Sequence, residues 1–112
     1  MTAPARASCS VHFAVEHSWP NGFTASATIT NRGPETLRSW SLAMTFTVGQ
    51  RLTDGWNGTW TQRGSRLTVL GPSWKTDLQP GEAFTTGFNG SFAASNPAPT
   101  GFTVNGGACP AG

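Results

Sequence analysis

Apolar and polar residues alternate with a period of two along most of this chain. The clearest run is formed by Trp40, Leu42, Met44, Phe46 and Val48, which alternate with smaller or polar residues and predict the longest strand, with Trp40 in the core. Similar alternation occurs at residues 11–15, 23–30, 66–69, 84–88 and 102–104. No segment shows a sustained period of 3.6, so the pattern indicates an all-β chain.

Turn-forming residues separate these runs at short intervals. They lie at residues 20–22, 31–34, 48–50, 63–65, 80–81 and 105–107. Short strands with such spacing are typical of a β-sandwich or a barrel. A single sheet could not cover so many inward Phe, Leu and Val side chains. We therefore predict an antiparallel β-sandwich of two sheets with eight or nine strands.

The two cysteines, Cys9 and Cys109, lie near the ends and enclose nearly the whole chain. We predict a disulfide, because joining the ends suits a small secreted domain whose termini meet; the alternative is two buried thiols. The expected organisation is a linker stub at residues 1–8, one domain at residues 9–109 and a tail at residues 110–112. Such a domain is expected to be secreted and extracellular.

Charge and composition exclude several functions. Charged residues make up 11% of the chain, against about 25% in typical domains, and the net charge of +2 is too small for a nucleic-acid binder. No run approaches the length of a membrane span, so we expect no membrane partner. No pair of carboxylates and no set of metal ligands is recognisable, so we expect no catalytic residue, no metal and no cofactor.

The five tryptophans fall into different settings. Trp60 has an ambiguous phase, and we predict partial burial for it. Trp19, Trp56 and Trp74 are isolated from apolar alternation and flanked by turn residues, which places them in loops with exposed rings. The alternative is that each ring folds back over an end of the sandwich. Three in the same setting favour exposure for binding, since exposed large aromatics otherwise reduce solubility.

A sugar polymer is the ligand that suits these rings. A pyranose offers C–H groups on its faces and hydroxyls around its rim, and it needs no charged partner. Single-stranded nucleic acid would need a more positive groove, and a membrane belt would need flanking cations. Two function classes remain open, a polysaccharide-binding module and an immunoglobulin-like adhesion domain with a protein partner.

From Cys9 to Cys109 the sequence resembles the carbohydrate-binding modules of family 2. The matching segments are residues 19 and 21–25, 28–31, 40–42, 49–50, 56–59, 61–62, 74, 80–81, 87–90, 98–100, 102 and 104–106. The resemblance implies a β-sandwich with a disulfide joining its ends. It also implies that Trp19, Trp56 and Trp74 form a planar strip that stacks on a crystalline polysaccharide.

The same resemblance implies polar ligand contacts from His17, Ser26, Asp54 and Asn89. At the first three positions relatives more often have Asn or Gln, and Lys75 replaces a usual Asn. Asp54 and His17 can still hydrogen-bond sugar hydroxyls, but their charge is a departure from the usual pattern.

The subgroup follows from two positions. Xylan-binding members lack the middle tryptophan and have an Arg where this chain has Gly22, whereas Trp56 is present here. The resemblance is therefore to the crystalline-surface subgroup, with cellulose as the expected ligand and chitin as the alternative. It implies a monomer covalently linked to a catalytic domain, either a glycoside hydrolase or a lytic polysaccharide oxidase.

Overall fold

The computed structural model describes residues 9–110, which form nine strands and no helix. The predicted linker stub at residues 1–8 and the end of the predicted tail at residues 111–112 lie outside the described residues. The strands are β1 (Cys9–Trp19), β2 (Gly22–Asn31), β3 (Ser41–Thr45), β4 (Arg51–Trp56), β5 (Thr59–Arg63), β6 (Arg66–Leu70), β7 (Ala83–Ser91), β8 (Thr100–Val104) and β9 (Gly107–Ala108).

Two antiparallel sheets build the domain. One has four strands in the order β1-β2-β7-β4, and the other has five in the order β5-β6-β3-β8-β9. The predicted antiparallel sandwich is confirmed. Edge strands β1 and β4 flank the four-stranded sheet, so its two inner strands are β2 and β7.

Aromatic side chains fill the space between the sheets. Phe23 and Phe88 are fully buried and pack edge to face, with ring centroids 5.6 Å apart. Trp60 is half-buried against Phe88, with centroids 4.8 Å apart, which confirms its predicted partial burial. Trp40 is also fully buried, as predicted.

The strand predicted around Trp40 is shorter than the alternation indicates. β3 covers only Ser41–Thr45, and the longest strand is β1 with 11 residues. Ser39 has a φ of 47°, which breaks the extended conformation directly before Trp40. The backbone N–H of Trp40 instead donates to the carbonyl of Thr76 in a loop.

The two ends of the described residues meet, as predicted. Cys9 and Cys109 form a disulfide with their Cα atoms 5.2 Å apart. The N–H of Val11 donates to the carbonyl of Pro110 at 3.0 Å, so β1 is tied to the last described residue. Within residues 9–110, no helix is long and apolar enough to span a membrane.

Candidate functional site

The candidate site lies on the outer face of the four-stranded sheet. Along β2, Phe23 and Ala25 are buried in the core, whereas Thr24 and Ser26 point away from it. We call this outer surface, formed by Thr24, Ser26 and the residues level with them on β1, β7 and β4, the front face.

Strand register brings the predicted polar residues together on the front face. His17 pairs with Thr24, Thr24 with Asn89, and Asn89 with Asp54, so one row crosses all four strands. Ser26 lies two residues along β2 from this row. The structure therefore places all four polar residues implied by the resemblance on one surface.

A β-bulge in each edge strand turns His17 and Asp54 outward. The register shifts between Val15 and His17 in β1 and between Leu52 and Asp54 in β4. Val15 pairs with a buried alanine and Leu52 packs against the core, so strict alternation would turn His17 and Asp54 inward. The extra residue in each strand reverses the phase, which is a common use of β-bulges beside functional sites.

Trp19 and Trp56 end strands β1 and β4, so their predicted placement in loops is wrong, although their exposure of 47% and 40% is as predicted. They pair with Gly22 and Gly87 on the inner strands. A Cβ on Gly87 would lie 2.5–2.7 Å from three indole atoms of Trp56, and one on Gly22 would overlap the Trp19 indole. Each ring thus reaches over the neighbouring strand.

Trp74 lies in the loop between β6 and β7, as predicted, and is 66% exposed. Its ring packs edge to face on Phe84, with centroids 5.4 Å apart. Trp40 fixes the loop from inside, because its Nε1–H donates to the carbonyl of Lys75 at 2.9 Å. Together with the bond to the carbonyl of Thr76, this contact holds both residues that follow Trp74.

Lys75 forms an ion pair with Glu82. The Glu82 carboxylate also accepts a hydrogen bond from the N–H of Gln79 at 2.9 Å. The hydrogen bond from Lys75, followed by that from Gln79, lowers the pKa of Glu82 below its ordinary value. Lys75 therefore stabilises the loop that holds the adjacent tryptophan, and its charge is balanced locally.

Hydrogen bonds organise the polar part of the front face. Thr24 donates from Oγ1 to Asn89 Oδ1 at 2.6 Å, and Asn89 Nδ2 donates to Asp54 Oδ1 at 3.0 Å. Ser26 donates to Glu16 Oε1 at 2.7 Å. Thr24 and Glu16 were not among the residues predicted from the sequence. Thr24 points outward by simple alternation, but its pairing with Asn89 depends on a strand 65 residues away in the chain.

Both front-face carboxylates, Glu16 and Asp54, accept hydrogen bonds from neighbouring side chains. Among residues 9–110, no group of three or more His, Cys, Asp or Glu side chains could hold a metal ion.

Known proteins resemble this chain over most of its length. The family model described as "Cellulose binding domain" matches residues 9–109. Exoglucanase B of Cellulomonas fimi is 47% identical over 102 residues, which cover 91% of this chain and 9% of that protein. The chain spans about a tenth of the length of the first curated relatives it matches.

Solved structures of isolated domains agree over nearly their whole length. The chitin-binding domain of Chi18aC from Streptomyces coelicolor is 35% identical with a TM-score of 0.75, covering 91% of this chain and 94% of that one. The cellulose-binding family 2 domain from ScLPMO10C is 28% identical with a TM-score of 0.66, covering 88% and 94%. With the family model matched from one cysteine to the other, this chain belongs to the cellulose-binding domains of carbohydrate-binding module family 2.

Proposed function

We propose that this domain is a noncatalytic module that adsorbs to crystalline cellulose through Trp19, Trp56 and Trp74. The observation that carries the proposal is that three indoles are exposed, two of them over the inner strands of the four-stranded sheet and the third against Phe84 of β7. Exposed aromatic side chains in such a series are unfavourable in water unless a partner covers them.

Two of the rings are spaced along the direction of β7. The row that contains Trp19 crosses β7 at Ser91, and Trp56 lies over Gly87 on the same outer face, whereas Trp74 packs on Phe84, which faces the core. At about 3.4 Å per strand residue, Ser91 and Gly87 are roughly 14 Å apart. This distance prevents Trp19 and Trp56 from stacking on the same sugar, so the arrangement suits a polymer.

Polar side chains between the tryptophans supply the hydrogen bonds that stacking lacks. Asn89 holds Asp54 through one carboxylate oxygen, which leaves the other free to accept a hydrogen bond from a sugar hydroxyl. His17 and Ser26 lie on the same face and offer a ring nitrogen and a hydroxyl. We propose that these four residues contact the hydroxyl rim while the indoles stack on the sugar faces.

An attached enzyme explains why a small domain would bind an insoluble polymer. The relative from Cellulomonas fimi is an exoglucanase about ten times longer than its matching segment. We propose that this module, acting as a monomer, holds a covalently linked polysaccharide-degrading domain at its substrate. The disulfide between Cys9 and Cys109 suits the oxidising environment outside the cell, where such a solid is found.

Chitin is the second candidate ligand. The solved chitin-binding domain is more similar to this chain than the solved cellulose-binding domain, in both sequence identity and TM-score. Both polymers are flat chains with a β-1,4 repeat, and the indole series suits either one.

Depletion isotherms on microcrystalline cellulose and on β-chitin test the proposal. We expect saturable adsorption to at least one solid, with the tighter isotherm identifying the ligand. A matched control is Thr61→Ala, which changes an exposed side chain on the opposite sheet and should bind like the wild type. Adsorption to neither solid would contradict the proposal and favour a protein partner.

A further inference from the structure

We propose that Gly87 is the positioning residue for Trp56, and that a glycine there is required for adsorption to a flat crystalline surface. The inference rests on the proposed function for the part that concerns binding. Its structural part concerns only the contact between β4 and β7.

The space above Gly87 is occupied by the Trp56 indole. A Cβ at this position would lie 2.5, 2.6 and 2.7 Å from Cζ2, Cε2 and Nε1 of that ring, which is far inside van der Waals contact. Gly87 is buried, although it faces outward, because the indole covers it. Any larger side chain would therefore have to displace the ring.

Backbone conformation does not explain the glycine. Gly87 does not have a positive φ. It lies in regular β7 and pairs with Ser26 of β2 and with Trp56 of β4. Alanine is compatible with this backbone, so only the contact with the ring excludes it.

The main chain of Trp56 is held and cannot move to relieve the overlap. Its carbonyl accepts hydrogen bonds from Thr86 Oγ1 at 2.8 Å and from Trp60 Nε1 at 3.3 Å. Thr86 is fully buried and Trp60 packs against the core, so both donors are themselves fixed. A side chain at residue 87 would consequently rotate the indole away from the sheet.

A rotated ring would project from the front face. It would contact a crystalline surface by its edge and lose its stacking contact, whereas the ring held over the outward-facing Gly87 leaves its outer side free to stack. We therefore expect Gly87→Ala to weaken adsorption about as much as Trp56→Ala. Covering half of the exposed area of Trp56 corresponds to about an eightfold change in affinity.

The test is a double-mutant cycle of Gly87→Ala and Trp56→Ala, with three measurements on each variant. We expect Gly87→Ala alone to weaken adsorption about eightfold, lower the melting temperature and speed oxidation of the Trp56 indole by N-bromosuccinimide. In the Trp56→Ala background, the same substitution should affect neither adsorption nor melting temperature adversely. Gly107→Ala is the matched control, since a Cβ there has an ordinary contact at 3.5 Å.

Each alternative outcome has a defined meaning. Wild-type adsorption and unchanged oxidation of Gly87→Ala would overturn the proposal, as would an equal loss with and without Trp56. If Gly87→Ala fails to fold but the double variant folds, the overlap with the indole is supported. If the wild type adsorbs to neither polysaccharide, the proposed function fails, whereas melting and oxidation still decide whether Gly87 positions the ring.

Discussion

Replacing Trp74 with alanine should weaken adsorption more than replacing Trp19 or Trp56, because Trp74 offers the largest uncovered area. The exposed fractions are 66%, 47% and 40%. For a Trp side chain of about 250 Å², these fractions correspond to roughly 165, 120 and 100 Å². A sugar stacks on one ring face, so about half of each area is removed from water on binding.

These areas set the expected loss of affinity. At about 25 cal/mol per Å², the buried halves correspond to roughly 2, 1.5 and 1.3 kcal/mol. The three alanine variants should therefore bind about 30-fold, 12-fold and 8-fold more weakly than the wild type, in the order Trp74, Trp19 and Trp56.

Depletion isotherms on microcrystalline cellulose at low coverage give the ratio of dissociation constants directly. Thermal melting of each variant separates lost contacts from lost folding, and Thr61→Ala on the opposite sheet provides the unaffected control. The reverse order of losses, or a change of less than about twofold in all three variants, would refute the reasoning from exposed area.

Three further variants test other parts of the account. Glu82→Gln should lower the melting temperature at pH 7, and the difference from the wild type should shrink below about pH 4. A carboxyl whose pKa is lowered in the folded state stabilises the fold at pH values above its unfolded-state pKa and loses that effect as it protonates. A constant difference down to about pH 2 would contradict this reasoning. Replacing Cys9 and Cys109 with alanine should lower the free energy of unfolding by about 2–5 kcal/mol in urea titrations, and a loss under about 1 kcal/mol would disagree. Asn89→Ala should weaken adsorption about fivefold, the equivalent of one hydrogen bond, because Asp54 loses its positioning donor; unchanged isotherms would exclude that role.

The alternation in the sequence predicts the inner strands well because their burial is one-sided. In β2, buried Phe23, Ala25, Ala27 and Ile29 alternate with Thr and Ser that face outward. The fold class follows from this alternation, the disulfide from the two cysteines near the chain ends, and the exposure of the three tryptophans from the turn residues that flank them.

Edge strand β4 could not be predicted this way. Five of its six residues are exposed, and the turn-forming residues around Trp56 resemble a loop. Hydrogen bonds from β7, far away in the sequence, make this segment a strand. A pattern of buried residues cannot reveal a strand that buries almost nothing.

The geometry of the site depends on register, which the sequence did not provide. The bulges that turn His17 and Asp54 outward are defined only by pairing with β2 and β7. Gly87 likewise appears as an ordinary small residue in an alternating run. Its role becomes visible only when Trp56 is placed opposite it, although a glycine inside a strand is a general sign of close approach.

Oxidation footprinting with N-bromosuccinimide tests most directly whether the exposed indoles contact the polysaccharide. In the free protein, Trp19, Trp56 and Trp74 should be oxidised while the buried Trp40 stays intact as an internal reference. On protein adsorbed to the preferred crystalline solid, mass spectrometry should find all three protected together. Equal oxidation of the three indoles in adsorbed and free protein would contradict the account.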